Sequence, residues 1–302
     1  MRDIIATVLS RDGGTYRVLL DGQERLAILR GKAKRAEERA VAGDLVRIDP
    51  STFDDDVIGI DAVEPRRSLI ARRVPEGRGT RPVAANVDQV VVVTAAAEPA
   101  PILQLIDRLL VVAEANDVPA SVVVNKCDLG SAEPIIAHLE AAGYQVLPTA
   151  ARAGLGLEAL RSLLVGRVSV FTGPSGAGKS SLLNALEPGL GLRVGEVSRK
   201  VKRGTHTTVT ASMIPIAVGG FVVDTPGFSE VGVWDLDPTD VAACFPELRA
   251  VAGECRFGDC QHRTEPGCAA RGLVESGKMP AERFASYLAI LAELEGTPKD
   301  WE

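Results

Sequence analysis

The sequence predicts a multi-domain fold with a small β-barrel at the N-terminus, a central α/β unit and a C-terminal α-helical unit that carries a metal site. Three observations support this fold class. Short strand-like segments between turns fill the first 75 residues, and Val-rich runs alternate with helical segments in the middle of the chain. A cluster of Cys and His residues then precedes an amphipathic helix near the C-terminus.

The N-terminal segment, residues 1–75, has the pattern of a small β-barrel. Strand-like runs at 4–9, 16–20, 25–29 and 43–48 are separated by turn signals such as Gly13-Gly14. About five short strands with a basic loop fit a barrel of the oligonucleotide-binding (OB) type. An SH3-like barrel would leave nearly the same pattern, so the strands alone assign no function.

The middle of the chain predicts a parallel sheet. A segment rich in Pro, Gly and Arg, residues 75–83, is typical of an exposed linker and indicates a domain boundary. Beyond it, continuous apolar runs alternate with helical segments, as expected for strands covered on both faces. We therefore expect an α/β domain at 76–235 and a helical domain at 236–302, with its last helix from Ala281 to Leu294.

Composition and charge limit the classes of function. No apolar run reaches the roughly 18 residues that cross a bilayer, and the N-terminus lacks the apolar core of a signal peptide. We therefore expect a cytoplasmic protein with no membrane partner. The net charge of −6 gives no overall attraction to nucleic acid. Basic residues nevertheless form three local groups: Arg30, Lys32, Lys34, Arg35 and Arg39; Arg66, Arg67, Arg72, Arg73, Arg78 and Arg81; and Arg199, Lys200, Lys202 and Arg203.

A phosphate-binding loop is the most specific motif in the chain. The run that matches G-x-x-x-x-G-K-[ST] follows a predicted strand and precedes a predicted helix, as the motif requires. Its backbone N–H groups and the helix N-terminus can surround phosphate groups. Lys179 should reach the β- and γ-phosphates, and the Ser180 hydroxyl should bind Mg²⁺. The predicted nucleotide-binding residues here are Gly173, Pro174, Ser175, Gly176, Ala177, Gly178, Lys179, Ser180 and Ser181.

The run Asn125-Lys126-Cys127-Asp128 follows another predicted strand and matches N-K-x-D. Asp128 can accept hydrogen bonds from N1–H and the N2 amino group of guanine, which adenine lacks. We expect Asn125 to join this loop to the phosphate loop and the Lys126 stem to lie along the base. The motif therefore predicts selection of guanine nucleotides.

Three further segments complete a guanine-nucleotide site. Asp224 and Gly227 belong to a D-x-x-G segment, in which the Asp holds Mg²⁺ through water and the Gly N–H can contact the γ-phosphate. Thr207 and Thr208 lie in a Thr-rich first switch beside His206, and one of the two Thr, Thr208 in our assignment, should complete the Mg²⁺ shell. Ala150 and Ala151 stand where a loop of S-A-K type would support the base, although Ala150 replaces the usual Ser.

The order of these motifs is circularly permuted. The base loop comes first, followed by the supporting loop, the phosphate loop and the two switches, whereas an ordinary G-domain begins with the phosphate loop. A compact parallel sheet with nearby termini can be cut and rejoined without losing its core, so one GTP site can still form. In this order the second switch leads directly into the C-terminal domain.

The C-terminal cluster Cys255-x4-Cys260-x-His262-x5-Cys268 offers three thiolates and one imidazole. These four ligands could close a tetrahedral, structural Zn²⁺ site. The alternative is a disulfide with one spare cysteine, which a cytoplasmic location disfavours. Of the remaining residues of these types, we expect Cys127 and Cys244 in the core or in loops and His138 on a helix surface.

Together, the permuted motifs, the N-terminal barrel and the C-x4-C-x-H-x5-C segment resemble the ribosome small subunit-dependent GTPase A family over essentially the whole chain. The resemblance implies an OB-fold barrel, a circularly permuted P-loop GTPase domain and a zinc-binding domain. It also implies a role in late maturation of the bacterial 30S subunit near the decoding region of 16S rRNA. Hydrolysis of GTP to GDP would be slow in isolation and stimulated by the subunit.

Two features leave parts of the mechanism open. The family pattern G-x-H-T-T-T appears here with Val209 at its last position, so either Thr207 or Thr208 could bind Mg²⁺. Many GTPases orient the attacking water with a Gln after D-x-x-G, where this chain has Phe228. Our hypothesis is that His206 positions the water once the ribosome orders the first switch, and the alternative is an ordinary surface histidine.

Two other functions remain open at this stage. One is a permuted GTPase that acts on the large subunit, and the other is a non-enzymatic RNA-binding module that uses nucleotide as a structural ligand. The basic groups would serve as rRNA phosphate contacts on one face of an acidic protein. We expect a monomer.

Overall fold

The structure, a computed structural model, describes residues 4–31, 33, 39–73, 80–190, 211–224 and 236–296. Within these ranges it describes only the backbone of Arg72, Arg73, Thr80, Arg81 and Asp224. The predicted switch residues His206, Thr207, Thr208 and Gly227 lie outside the described residues. All four members of the third basic group and part of the first lie outside them as well.

A closed five-stranded barrel forms the N-terminal unit, in the order β1-β2-β3-β5-β4. Its strands β3 and β5 are parallel, and the other neighbours are antiparallel. Alternate residues face its interior, as Tyr16, Val18 and Leu20 show on the second strand. The predicted barrel is therefore confirmed. Its strands are β1 (Ile4–Asp12), β2 (Thr15–Leu20), β3 (Gln23–Leu29), β4 (Leu45–Ile48) and β5 (Val57–Val63).

A β-hairpin connects the barrel to the rest of the chain. Its strands β6 (Leu69–Arg73) and β7 (Thr80–Ala85) are antiparallel. The predicted linker is wrong for residues 80–83, because these residues form part of β7. Pro82 lies opposite Ala71 beside a register shift, a position at which a strand tolerates proline.

A six-stranded sheet forms the centre of the molecule, in the order β10-β9-β8-β11-β13-β12. All neighbouring strands are parallel except β12, which is an antiparallel edge strand. The strands are β8 (Gln89–Ala95), β9 (Ala120–Asn125), β10 (Gln145–Pro148), β11 (Arg167–Thr172), β12 (Ser212–Pro215) and β13 (Gly220–Asp224). The helices among them are α1 (Leu103–Ala115), α2 (Glu133–Leu139), α3 (Leu157–Leu164) and α4 (Lys179–Leu186).

Both faces of this sheet are covered, as the Val-rich runs predict. On β8, every residue is buried. Val90 and Val92 belong to the same core as Leu109 of α1, whereas Val91 and Val93 share a second core with Leu182 of α4. Alternate residues of one strand thus pack on opposite layers of helices, and the predicted α/β architecture is confirmed.

The C-terminal unit is helical and packs on α1. A 3₁₀ helix (Pro238–Cys244) precedes α5 (Pro246–Ala250), α6 (Ala269–Glu275) and α7 (Ala281–Gly296). Tyr287 and Ile290 of α7 belong to the same core as Leu109 of α1. Every helix in the described ranges is too short or too polar to span a membrane.

The expectation for His138 is wrong, because this residue is buried beneath the C-terminal unit. Its Nε2 lies 2.9 Å from Asp107 Oδ2, and both side chains are almost fully excluded from solvent. Arg283 of α7 donates from Nη1 to Asp107 Oδ1 at 2.6 Å and also pairs with Glu247 of α5. The face of α2 that the sequence predicts to be exposed thus contacts an ionic cluster formed by distant parts of the sequence.

The barrel contacts the hairpin through a turn at Gly43. The Gly43 N–H donates to Val8 O at 2.9 Å, and its carbonyl accepts from Asn86 Nδ2 at 2.8 Å. Beside it, the buried carboxylate of Asp44 accepts from Arg66 Nε and Nη2 at 2.7 and 2.9 Å. Because Arg66 is engaged here, it is unsuited to the predicted rRNA contact.

We expect Gly43→Ala to destabilise the protein by about 2–4 kcal/mol, because a Cβ at this residue would lie 2.0 Å from Ala85 O. The backbone also has a φ of +92°, which favours glycine. Gly13→Ala is the matched control, since it also has positive φ but no atom within 4 Å of the added Cβ. Urea denaturation measures the free energy of unfolding of both variants, and the control should lose only about 1 kcal/mol. Equal losses in the two variants would contradict the close-contact explanation.

Candidate functional site

The phosphate loop connects β11 to α4 at the carboxyl edge of the parallel sheet. Gly173, Gly176 and Gly178 all have positive φ, at +135°, +82° and +94°. A Cβ on Gly173 would lie 1.9 Å from Val93 O, and one on Gly178 would lie 2.2 Å from Asn125 Nδ2. The first glycine therefore lets the loop approach the backbone of β8, and the third lets it approach the Asn125 side chain at the end of β9, more closely than any other residue would allow.

Lys179, the first residue of α4, is buried, and its ammonium lies against the phosphate loop. Nζ donates to Gly173 O at 2.6 Å and to Pro174 O at 2.9 Å. Ser180 is buried beside it at the start of the helix. A phosphate group entering the loop could replace these carbonyl oxygens as acceptors, and it would meet both the lysine charge and the helix N-terminus.

Asn125 joins the base loop to the phosphate loop. Its Nδ2 donates to Ala177 O at 3.1 Å, and its Oδ1 accepts from the Ala151 N–H at 3.1 Å. The side chain is buried at the end of β9. One amide therefore holds three loops of the predicted nucleotide site in contact, although these loops are as many as 52 residues apart in the sequence.

The supporting loop lies beside the base loop, where the sequence predicts it. Cys127 N donates to Thr149 O at 3.0 Å, and Thr149 N donates to Val124 O at 2.7 Å. The Ala151 N–H, a candidate donor to guanine O6, is engaged by Asn125 in this conformation.

Lys126 and Asp128, the predicted base-recognition residues, lie in the turn after β9. Asp128 is exposed, and Lys126 is half-buried with a φ of +63°. The Lys126 ammonium donates to the carbonyl of Glu98 in the loop that follows β8. Nothing in the sequence marks this contact, because residues 96–99 belong to no recognised motif.

The second-switch segment begins beside the phosphate loop. Asp224 ends β13 and pairs with Phe171 of β11, two residues before Gly173. The parallel pairing of these strands therefore brings the D-x-x-G and phosphate-loop motifs to the same edge of the sheet. The remaining switch residues lie outside the described ranges.

A second site lies in the C-terminal unit, where the Cys255, Cys260 and Cys268 thiols surround the His262 ring. Their Sγ atoms lie 3.5, 3.6 and 3.4 Å from His262 Nδ1. All five cysteines are free, so no disulfide competes for these thiols. Burial lowers the pKa of His262, which favours the neutral imidazole that binds metals. The four ligand atoms lie within 4.8 Å of one another and could hold one metal ion.

Comparisons with known proteins agree with this arrangement. Residues 63–234 match the family model described as RsgA GTPase. A protein of Gemmatimonas aurantiaca named small ribosomal subunit biogenesis GTPase RsgA is 46% identical over 297 residues, covering 96% of this chain and 97% of that protein. A protein of the same name from Thermotoga maritima is 37% identical, covering 92% of each chain.

Two solved structures have the same fold over nearly the whole chain. The crystal structure of YjeQ from Thermotoga maritima has a TM-score of 0.81 and 31% identity, covering 98% of this chain and 100% of that one. YloQ, described as a circularly permuted GTPase, has a TM-score of 0.77 and 26% identity, covering 99% and 97%. On this evidence, the chain belongs to the RsgA GTPase family and is a GTP hydrolase.

Proposed function

We propose that this protein hydrolyses GTP during biogenesis of the small ribosomal subunit, and that it binds the 30S subunit and its 16S rRNA. The contact of Asn125 with both the phosphate loop and the supporting loop carries the nucleotide part of this proposal. The names of the relatives support the ribosomal part. We further propose a cytoplasmic monomer.

In this proposal Lys179, Thr207, Thr208 and His206 are the catalytic residues, and the other predicted site residues bind the nucleotide or Mg²⁺. GTP or GDP is bound by Asn125, Lys126 and Asp128, by the loops at 150–151 and 173–181, and by Asp224 and Gly227. Mg²⁺, which supplies charge neutralisation at the phosphates, would be held by Ser180, Thr208 and Asp224. The domain division that we propose is 1–75 for ribosome and RNA binding, 76–235 for GTPase activity and 236–302 for metal binding.

The deciding experiment measures GTP turnover with no addition, with isolated 30S subunits and with isolated 50S subunits. Stimulation by 30S alone is expected. Stimulation by 50S would favour a factor that acts on the large subunit, and turnover absent under all three conditions would favour a non-enzymatic RNA-binding module. Co-sedimentation with 30S should weaken as salt rises, because phosphate contacts release counterions.

We propose His206 as the group that orients the attacking water, since Phe228 cannot do so by hydrogen bonding. His206→Ala should lower 30S-stimulated turnover while GTP affinity remains unchanged. Single-turnover hydrolysis with and without 30S measures this effect. Unchanged stimulated turnover in the variant would remove His206 from the mechanism.

We propose that the metal in the C-terminal unit is a single structural Zn²⁺. Tetrahedral zinc with bonds of about 2.3 Å to sulfur and about 2.0 Å to nitrogen separates its ligands by roughly 3.5–3.8 Å. The distances around His262 lie close to this range. Elemental analysis should find one zinc per chain in the wild type and little in Cys260→Ser. Cys244→Ser, outside the cluster, should keep its zinc, and loss from both variants would contradict the assignment.

A further inference from the structure

The loop that follows β8, residues 96–99, contacts the base loop and lies beside the phosphate loop. Ala96 N donates to Asn125 O at 2.8 Å. A Cβ on Gly130, at the far end of the base loop, would lie 3.1 Å from Ala96 O. Toward the phosphates, a Cβ on Gly176 would lie 3.4 Å from Pro99 Cδ. We call residues 96–99 the bridge loop.

Glu98 occupies the centre of the bridge loop in an unusual backbone conformation. Its φ is +49°, in the left-handed region that non-glycine residues rarely adopt. Its carbonyl oxygen accepts from the Lys126 ammonium. Glu98 is exposed, and it contacts Lys126 through its backbone carbonyl.

We propose that the bridge loop is a third wall of the nucleotide site and that Glu98 is a positioning residue for Lys126. The left-handed backbone turns the Glu98 carbonyl toward the Lys126 ammonium, which holds the lysine stem where it can lie along the guanine plane. Pro99 lies beside Gly176, so this wall also borders the phosphate loop. Base recognition and phosphate binding are thereby mechanically joined by a segment outside the nucleotide-binding motifs.

This inference rests on the proposed GTP site, and backbone preference offers a way to test it. Glu98→Gly and Glu98→Val both remove the carboxylate, so the two variants are matched in charge. Glycine adopts positive φ freely, whereas a β-branched residue disfavours it. The comparison therefore isolates the direction of the carbonyl from the charge of the side chain.

The experiment measures the Kd of GDP for full-length Glu98→Gly and Glu98→Val, by displacement of a fluorescent GDP analogue. Each variant is made in the wild-type background and in the Lys126→Ala background. We expect Glu98→Val to bind GDP about tenfold more weakly than Glu98→Gly when Lys126 is present. The two should differ by less than about twofold when Lys126 is replaced.

Two results would overturn the proposal. Equal affinity of the Gly and Val variants with Lys126 present would show that the carbonyl direction has no effect on binding. An equal loss in both backgrounds would show that Glu98→Val disturbs the site without acting through Lys126. Failure of the wild-type chain to bind GDP would instead refute the proposed GTP site on which this inference rests.

Discussion

Replacing Asp128 with asparagine is expected to weaken binding of GTP and GDP by about 100-fold or more. The carboxylate can accept from both N1–H and the N2 amino group of guanine, whereas an amide turns one acceptor into a donor facing another donor. Each charge-assisted hydrogen bond lost costs about 1.5–3 kcal/mol, and about 1.4 kcal/mol corresponds to a tenfold change in affinity. Isothermal titration calorimetry measures the effect directly.

Asp117→Asn is the matched control for this substitution. Asp117 is also exposed, and it lies before β9, at the opposite end of the strand that carries Asp128. Its replacement should leave nucleotide affinity unchanged. Xanthosine triphosphate provides a further check, because its 2-keto oxygen can accept from the new amide and should favour Asp128→Asn over the wild type. Wild-type affinity of Asp128→Asn for GTP would contradict the role of Asp128 in guanine selection.

Replacing Arg283 with alanine is expected to destabilise the protein by about 3–5 kcal/mol. Its guanidinium pairs with the carboxylates of Asp107 and Glu247, and all three side chains are at most 3% exposed. The guanidinium also lies 5.0 Å from the centre of the Phe245 ring. Alanine would remove the guanidinium from two buried carboxylates, of which Asp107 would keep, among the described residues, only its contact with His138, and an uncompensated buried charge has a cost of this size.

Arg108→Ala tests whether burial causes this effect. Arg108 of α1 pairs with Glu293 of α7 across the same interface, but about 30% of each side chain is exposed. Exposed pairs contribute about 1 kcal/mol or less. Urea denaturation followed by circular dichroism should therefore show a much smaller loss for Arg108→Ala, and equal losses in the two variants would refute the explanation by burial.

Most of the candidate nucleotide site could be predicted from local sequence patterns. The phosphate loop and the N-K-x-D motif can each be recognised from a few adjacent residues, because each needs a fixed backbone shape at the end of a strand. Parallel strands then bring these ends to one edge, so even the contact of Asn125 with the phosphate loop could be expected. The proposed role of Glu98 could not be expected, since it depends on the direction of a backbone carbonyl, which the identity of the side chain does not reveal.

For the fold as well, some features follow from local sequence patterns and others only from the tertiary structure. Strand alternation in the barrel, Val-rich central strands and the spacing of the Cys/His cluster are short-range patterns, and the sequence determined them by itself. Tertiary structure alone decided that His138 is buried, that Arg66 pairs with Asp44, and that Arg283 meets Asp107 from 176 residues away. A charged residue looks the same in sequence whether solvent or a partner surrounds it, and only the packing of distant helices determines which.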